Sequence, residues 1–302
     1  MRKIRKRTLL TKTIAKEMYE DIFNDPYDYV CHSELIKVLI ENDDLNYIVK
    51  HFDSLCKSDY EYLKPLLDYL KFNTFRIKDN DVLEKLKGSL IYHMLYETVI
   101  VKDEDIDRIR FIFNELAKNE NESFFEIREI SAGSFSTVYR LGNKVIKIGR
   151  RRASKIIDNS RILLPDQLLN IAGNTIEITD YVKDVGIASI EETYEVYKDL
   201  RDQGIIWMDP YFLNIGKLDR TTIESQNEKA KHKDKMPFLV ENRKFKHREL
   251  KTNDLVIIDL DHLILEEDKK MFGIISRNIS ETREKAREGF EKRYLLEKKK
   301  AI

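Results

Sequence analysis

The stretch Leu200-Arg-Asp-Gln-Gly204-Ile-Ile-Trp-Met-Asp209-Pro-Tyr-Phe-Leu-Asn214-Ile215 decides how the chain is read. The amphipathic run from Ser189 to Gln203 predicts a helix that stops at Gly204, and the loop leaving it carries an Asp and an Asn at D-x-x-x-x-N spacing. Such a loop can bring Asp209 and Asn214 to one point. A carboxylate placed there can orient a hydroxyl, and an amide oxygen beside it can hold a hard cation.

Working upstream, Phe124-Phe-Glu-Ile-Arg-Glu-Ile130, Thr137-Val-Tyr-Arg-Leu141 and Lys144-Val-Ile-Lys-Ile148 alternate with Gly and Asn turn residues, which predicts strands, with Arg140-Leu-Gly-Asn-Lys144 as a tight hairpin. Further strands are predicted at Arg161-Ile-Leu-Leu164 and Thr175-Ile-Glu-Ile-Thr179. Downstream, Leu255-Val-Ile-Ile258 is an apolar strand that ends on Asp259, and Ser280 to Lys299 reads as a charged helix. A β-rich block followed by a mostly helical one is an α+β order rather than alternating βαβ units.

Before the polar linker Lys118-Asn-Glu-Asn-Glu122 the pattern is different. Leu35–Ile40, Leu63–Leu70, Val82–Tyr96 and Ile106–Leu116 carry apolar residues at three and four spacing, with breaks at Asn24-Asp-Pro26, Glu41–Asp44 and Lys78–Asp81. Residues 1–118 are therefore predicted to form an all-α domain with a structural or partner-binding role. No motif of chemistry falls in it. The β-rich part is predicted to span 119–183 and the second helical part 184–302.

The chain has 302 residues, of which 42% are hydrophobic and 36% charged, the composition of a soluble globular protein with room for two cores. Its longest apolar runs reach four or five residues, far short of the roughly 20 that cross a bilayer. The basic cluster Arg2, Lys3, Arg5, Lys6, Arg7 is not followed by an apolar core, so no secretory leader is expected. Fifty-four basic and fifty-four acidic residues cancel, which argues against a general nucleic-acid binder. Cys31 and Cys56, with no CxxC spacing, read as reduced thiols of a cytoplasmic protein.

Ser131-Ala-Gly133-Ser134-Phe135-Ser136-Thr-Val138-Tyr139 lies between the first two predicted strands, and the third carries Lys144 and Lys147. Lys147 is preferred for chemistry because its neighbours Ile146 and Ile148 face the opposite side of the strand. In order along the chain, this Gly/Ser loop, Lys147, Asp209 with Asn214, and Asp259-Leu-Asp261 resemble the protein kinase-like superfamily, over about residues 124–265. The form is that of a compact bacterial-type kinase related to protein kinases and to aminoglycoside and choline kinases.

The resemblance implies a bilobal kinase-like fold with a reduced C-lobe, using ATP and Mg²⁺ as cofactors. Ser131, Gly133 and Ser136 take the positions of the three loop glycines, Ser134 and Phe135 the loop tip, and Val138 the adenine-packing position. Lys147 would contact the phosphates. Thr179-Asp180-Tyr181-Val182 resembles the run whose backbone binds adenine, through Asp180 and Val182. Asp209 would orient the acceptor hydroxyl, and Asn214, Asp259 and Asp261 would lie at the metal. The implied activity is transfer of the γ-phosphate to serine or threonine of a protein, autophosphorylation included, with no membrane or nucleic-acid partner. A small-molecule phosphotransferase and a pseudokinase serving as a nucleotide-binding or interaction module are the alternatives.

The chain departs from the family in four places. Trp207 and Met208 replace the usual His and Arg ahead of Asp209. The thirteen residues between Lys147 and Arg161 leave no room for the helix whose glutamate would pair with the lysine, so Asp158, Glu177 or a helix of the N-terminal domain would have to serve. An insertion over about 217–253 has a polar core, Glu224 to Lys235, expected to be mobile, with Thr221, Thr222 and Ser225 as modification candidates and Pro237–Val240 able to pack. Only forty-three residues follow Asp259, too few for the helices that usually bind peptide, and the last helix would present one apolar edge of Phe290, Tyr294 and Leu295.

Overall fold

The computed structural model describes residues 29–55, 60–95, 101–132, 136–149, 155–207, 210, 212–240, 249–260, 263–265, 289 and 292. They fall into two compact units, one helical, formed by the described residues up to Asn119 with Ser123–Glu126, and one that comprises Glu120–Glu122 and the chain from Ile127 onward. No helix among the described residues is long and apolar enough to cross a membrane.

The helical unit contains α1 (Tyr29–Glu41), α2 (Leu45–Lys50), α3 (Phe52–Leu55), α4 (Tyr60–Phe72), α5 (Asn80–Met94) and α6 (Asp103–Asn119). Leu35–Ile40, Leu63–Leu70 and Ile106–Leu116 each lie inside one of them, and Val82–Tyr96 overlaps α5, which ends at Met94. In α6, Ile109, Phe113 and Ala117 recur every four residues and are buried, while Asp103, Glu104 and Asp105 in the first turn complement the positive end of the helix dipole. Asp79 caps α5, its Oδ1 accepting from the N–H groups of Asp81 and Val82. The break at Glu41–Asp44 is the turn between α1 and α2, and Asn24-Asp-Pro26 lies outside the described residues. The α1 helix packs on α4 and α5 on α6, around a core that includes Ile36, Ile48, Leu55, Leu66, Leu70 and Leu86.

The second unit opens with β1 (Arg128–Ala132), β2 (Ser136–Leu141), β3 (Lys144–Gly149), β4 (Ile156–Ile157), β5 (Gln167–Ile171) and β6 (Asn174–Asp180). Five of them form an antiparallel sheet in the order β1-β2-β3-β6-β5. Then come β7 (Asp184–Val185), α7 (Ile190–Asp202), β8 (Ile205–Trp207), β9 (Ile215–Lys217), α8 (Arg220–Ala230), β10 (Leu239–Val240), β11 (Leu255–Ile257) and β12 (Leu263–Leu265). These strands make small pairings: β11-β9-β7, β12-β8, and β10 parallel to β4. Helices and an antiparallel sheet in separate stretches make the chain an α+β protein.

Turn chemistry fixes the register of the main sheet. Gly142 holds φ 55° as the first central residue of the β2–β3 hairpin, where a glycine at positive φ matches strand twist in a two-residue turn. In the β5–β6 hairpin Ala172 sits at φ 49°, a conformation that costs a residue with a Cβ about 1 kcal/mol or more. Ala172→Asn, which creates an Asn-Gly turn, is expected to stabilise the unit by about 0.5–1 kcal/mol, read from urea unfolding midpoints. Ser189 begins α7 with a capping box in which its hydroxyl accepts from Glu192 N–H and the Glu192 carboxylate accepts from Ser189 N–H.

Three sequence expectations are corrected. Arg161–Leu164 is not a strand: only Ile162 bridges Ile257, and the backbone of Leu164 is bonded by the Gln226 side chain at both its N–H and C=O. Phe124–Glu126 is a 3₁₀ turn, so β1 starts later, at Arg128. The polar core of the insertion is largely helical rather than mobile, because Thr222, Gln226 and Lys229 line one buried face of α8 and find polar partners there. Pro237–Val240 packs as expected, through β10 on β4. The charged C-terminal helix falls almost entirely outside the described residues.

Candidate functional site

Register brings the first site residues together. Val138, Lys147 and Glu177 are direct neighbours on β2, β3 and β6, so their side chains share one face of the sheet. Lys147 is 7% exposed, its Nζ lies 3.8 Å from Glu177 Oε1, and the same ammonium donates to the carbonyl of Ile258. Ile258 directly precedes Asp259. Ile258 N–H in turn donates to Asn214 C=O at 3.0 Å, continuing the ladder in which Ile257 pairs with Ile215. Segments around 147, 214 and 259 thus converge on one point, with Asn214 and Asp259 both half-buried.

Lys144, the other lysine of β3, lies on the opposite face because an odd spacing reverses a strand side chain. It bonds Asp166 at 2.9 Å and Asp180 at 2.7 Å. Those acids also take Lys229 of α8, at 3.1 and 3.0 Å. Gln226 and Ser225 complete the shell of Asp180. Burial alone would raise the Asp180 carboxyl, but Lys229 and Lys144 outweigh it and hold it below its ordinary value. The Asp180 side chain is therefore part of a buried ionic clasp.

The run after β6 is shaped by packing. Tyr181 N–H donates to Asn143 C=O at 2.7 Å and its ring lies under Arg140, 3.7 Å away. Because Tyr181 N–H points to Asn143 across the β3–β6 pairing, the Asp180 peptide groups point away from β3. The Val182 side chain is buried with Leu163, Leu218 and Val256. Gly216 makes this possible: a Cβ there would stand 2.5 Å from Val182 Cγ1 and 3.2 Å from its Cβ. Gly216→Ala is expected to cost about 1–3 kcal/mol by overpacking, seen as a lowered unfolding midpoint.

Of the remaining predicted residues, Ser131 is exposed and Ser136 half-buried, while Gly133, Ser134, Phe135, Asp209 and Asp261 lie outside the described residues. Asp158, one of the acids considered for Lys147, instead pairs with Lys233. Trp207 is fully buried among Ile205, Ile215, Ile257 and Leu265 and serves as core at that position. Sequence reasoning did not anticipate the clasp of Lys144, Asp166, Asp180 and Lys229. Its one legible sign is the spacing of Thr222, Gln226 and Lys229 on a single helix face.

Asn214 and Asp259 are oxygen donors of the type a hard divalent cation takes, and such an ion commonly needs only one or two carboxylates beside phosphate oxygens. Among the described residues no group of three or more His, Cys, Asp or Glu could hold a metal by itself. Comparison of the sequence with protein-family models and with curated proteins gives no match.

Proposed function

We propose that the second unit is an ATP-dependent phosphotransferase of the kinase-like type, passing the γ-phosphate to a hydroxyl, in the first place serine or threonine of a protein. The observation that carries this reading is the convergence of Lys147, Asn214 and the Ile258–Asp259 strand end, from three separate segments, through Lys147 Nζ on Ile258 C=O and Ile258 N–H on Asn214 C=O. A lysine on the third strand of an antiparallel sheet, with a Gly/Ser sequence between the first two strands, is the context in which such a lysine grips phosphates.

In this reading Lys147 binds the ATP phosphates and Val138, on the same face, packs the adenine, whose edge meets the backbone of Asp180 and Val182. The loop Ser131–Ser136 covers the phosphates. Asp209 accepts the proton of the attacking hydroxyl and orients it toward phosphorus. Asn214, Asp259 and Asp261 would hold Mg²⁺, which when bound supplies positive charge against the phosphoryl oxygens. Positioning and electrostatics are most of what phosphoryl transfer asks of a protein.

The test is incubation of the full chain with γ-labelled ATP and Mg²⁺, alone, with generic protein substrates and with small alcohols. Label should pass to protein and vanish in Asp209→Ala and Asp259→Ala. Transfer to small alcohols alone would move the acceptor to the small-molecule class. Binding of ATP without any transfer would leave a nucleotide-binding module, and no binding would sink the proposal.

A further inference from the structure

We infer that Glu177 is the positioning residue of Lys147, holding its ammonium from within the same sheet; the inference rests on the phosphotransferase reading above. The two residues stand directly opposite each other on β3 and β6, with Nζ and Oε1 3.8 Å apart and side chains 9% and 4% exposed. The acid that lies nearer in sequence, Asp158, is engaged by Lys233. Asp166 and Asp180 are engaged by Lys144 and Lys229.

The distance matters for what the pair can do. At 3.8 Å the carboxylate attracts the ammonium without a full hydrogen bond. An ammonium has three donors, and the Ile258 carbonyl takes one, so donors remain for a phosphate oxygen. Because strand pairing fixes both partners, the lysine is set once the sheet has formed. No separate helix has to swing in to supply the acid, so control of this site would act elsewhere than on the lysine's partner.

The experiment is equilibrium binding of ATP to the full chain in EDTA, by calorimetry or a fluorescent ATP analogue. Glu177→Gln is expected to weaken binding about 10-fold, Lys147→Met at least as much, and Glu177→Asp less than Glu177→Gln. In the Lys147→Met background Glu177→Gln should cost much less than it does with the lysine present, since a positioning role needs the lysine. Wild-type binding by Glu177→Gln, or losses that simply multiply in the double variant, would overturn the inference in favour of a structural glutamate. If Glu177→Gln does not fold, Glu177→Asp with and without Lys147→Met carries the same comparison. Absence of ATP binding by the wild type overturns the phosphotransferase reading first and this inference with it.

Discussion

Asp259→Ala should lower the rate of phosphate transfer from ATP by about 10³-fold while the protein stays folded. The residue stands at the exit of β11, half-buried, beyond the last ladder pair of Ile257 with Ile215. Truncating it leaves that ladder, the Ile258 N–H bond to Asn214 and the Lys147 contact with Ile258 C=O in place, because all three use backbone atoms on the strand side. Under the proposed function, the truncation removes a negative oxygen donor to the divalent cation. The loss should appear as a steeply raised Mg²⁺ requirement, with ATP binding in EDTA changed by no more than a few-fold. Asp259→Asn, which keeps the shape but not the charge, should fall between the two. A transfer rate within 10-fold of wild type at saturating Mg²⁺ would remove Asp259 from the site.

How far the sequence reveals this arrangement depends on the range of the interaction involved. The helices of the first unit and strands β2, β3, β6 and β11 are legible because three-and-four or twofold periodicity is a local property. That Lys147 and Lys144 lie on opposite faces is legible too, since their odd spacing on one strand requires it. Arg161–Leu164 misleads because it is apolar like a strand, yet it is stabilised by the Gln226 side chain rather than a ladder. That partner is sixty-two positions away from Leu164. The same holds for α8: Thr222, Gln226 and Lys229 look solvated until Asp180 and the Leu164 carbonyl arrive from the other side. The pairing of Lys147 with Glu177 requires knowing that β3 and β6 are neighbours and in which register. Chain order alone, with β4 and β5 between them, does not say so.

Lys229→Met is expected to be the most damaging change to the stability of the second unit outside its apolar core. It removes one of two cations from a cluster in which Asp166 and Asp180 are bound by Lys144 and Lys229, and it leaves a buried carboxylate short of a partner. Breaking one side of a buried pair costs about 3–5 kcal/mol, whereas replacing both sides with apolar groups can be nearly neutral. Urea unfolding at pH 7 should show that loss for Lys229→Met and a smaller one for Lys229→Met combined with Asp180→Leu. The pH dependence gives an independent check on the sign. The folded Asp180 carboxyl lies below its ordinary value of 3.8, so its contribution is present above that pH and disappears as the pH falls through the lower folded value. Lys144 is shifted the other way. Burial lowers it, but Asp180 and Asp166 raise it above 10.5, so its contribution is present below that pH and is lost as the pH rises through the raised value. Wild-type stability should therefore fall at both extremes of pH, and Asp180→Asn should flatten both limbs, since it abolishes the acid titration and removes one of the anions that raises Lys144. An Asp180→Asn profile parallel to wild type below pH 4 would mean that the clasp contributes nothing to acid stability.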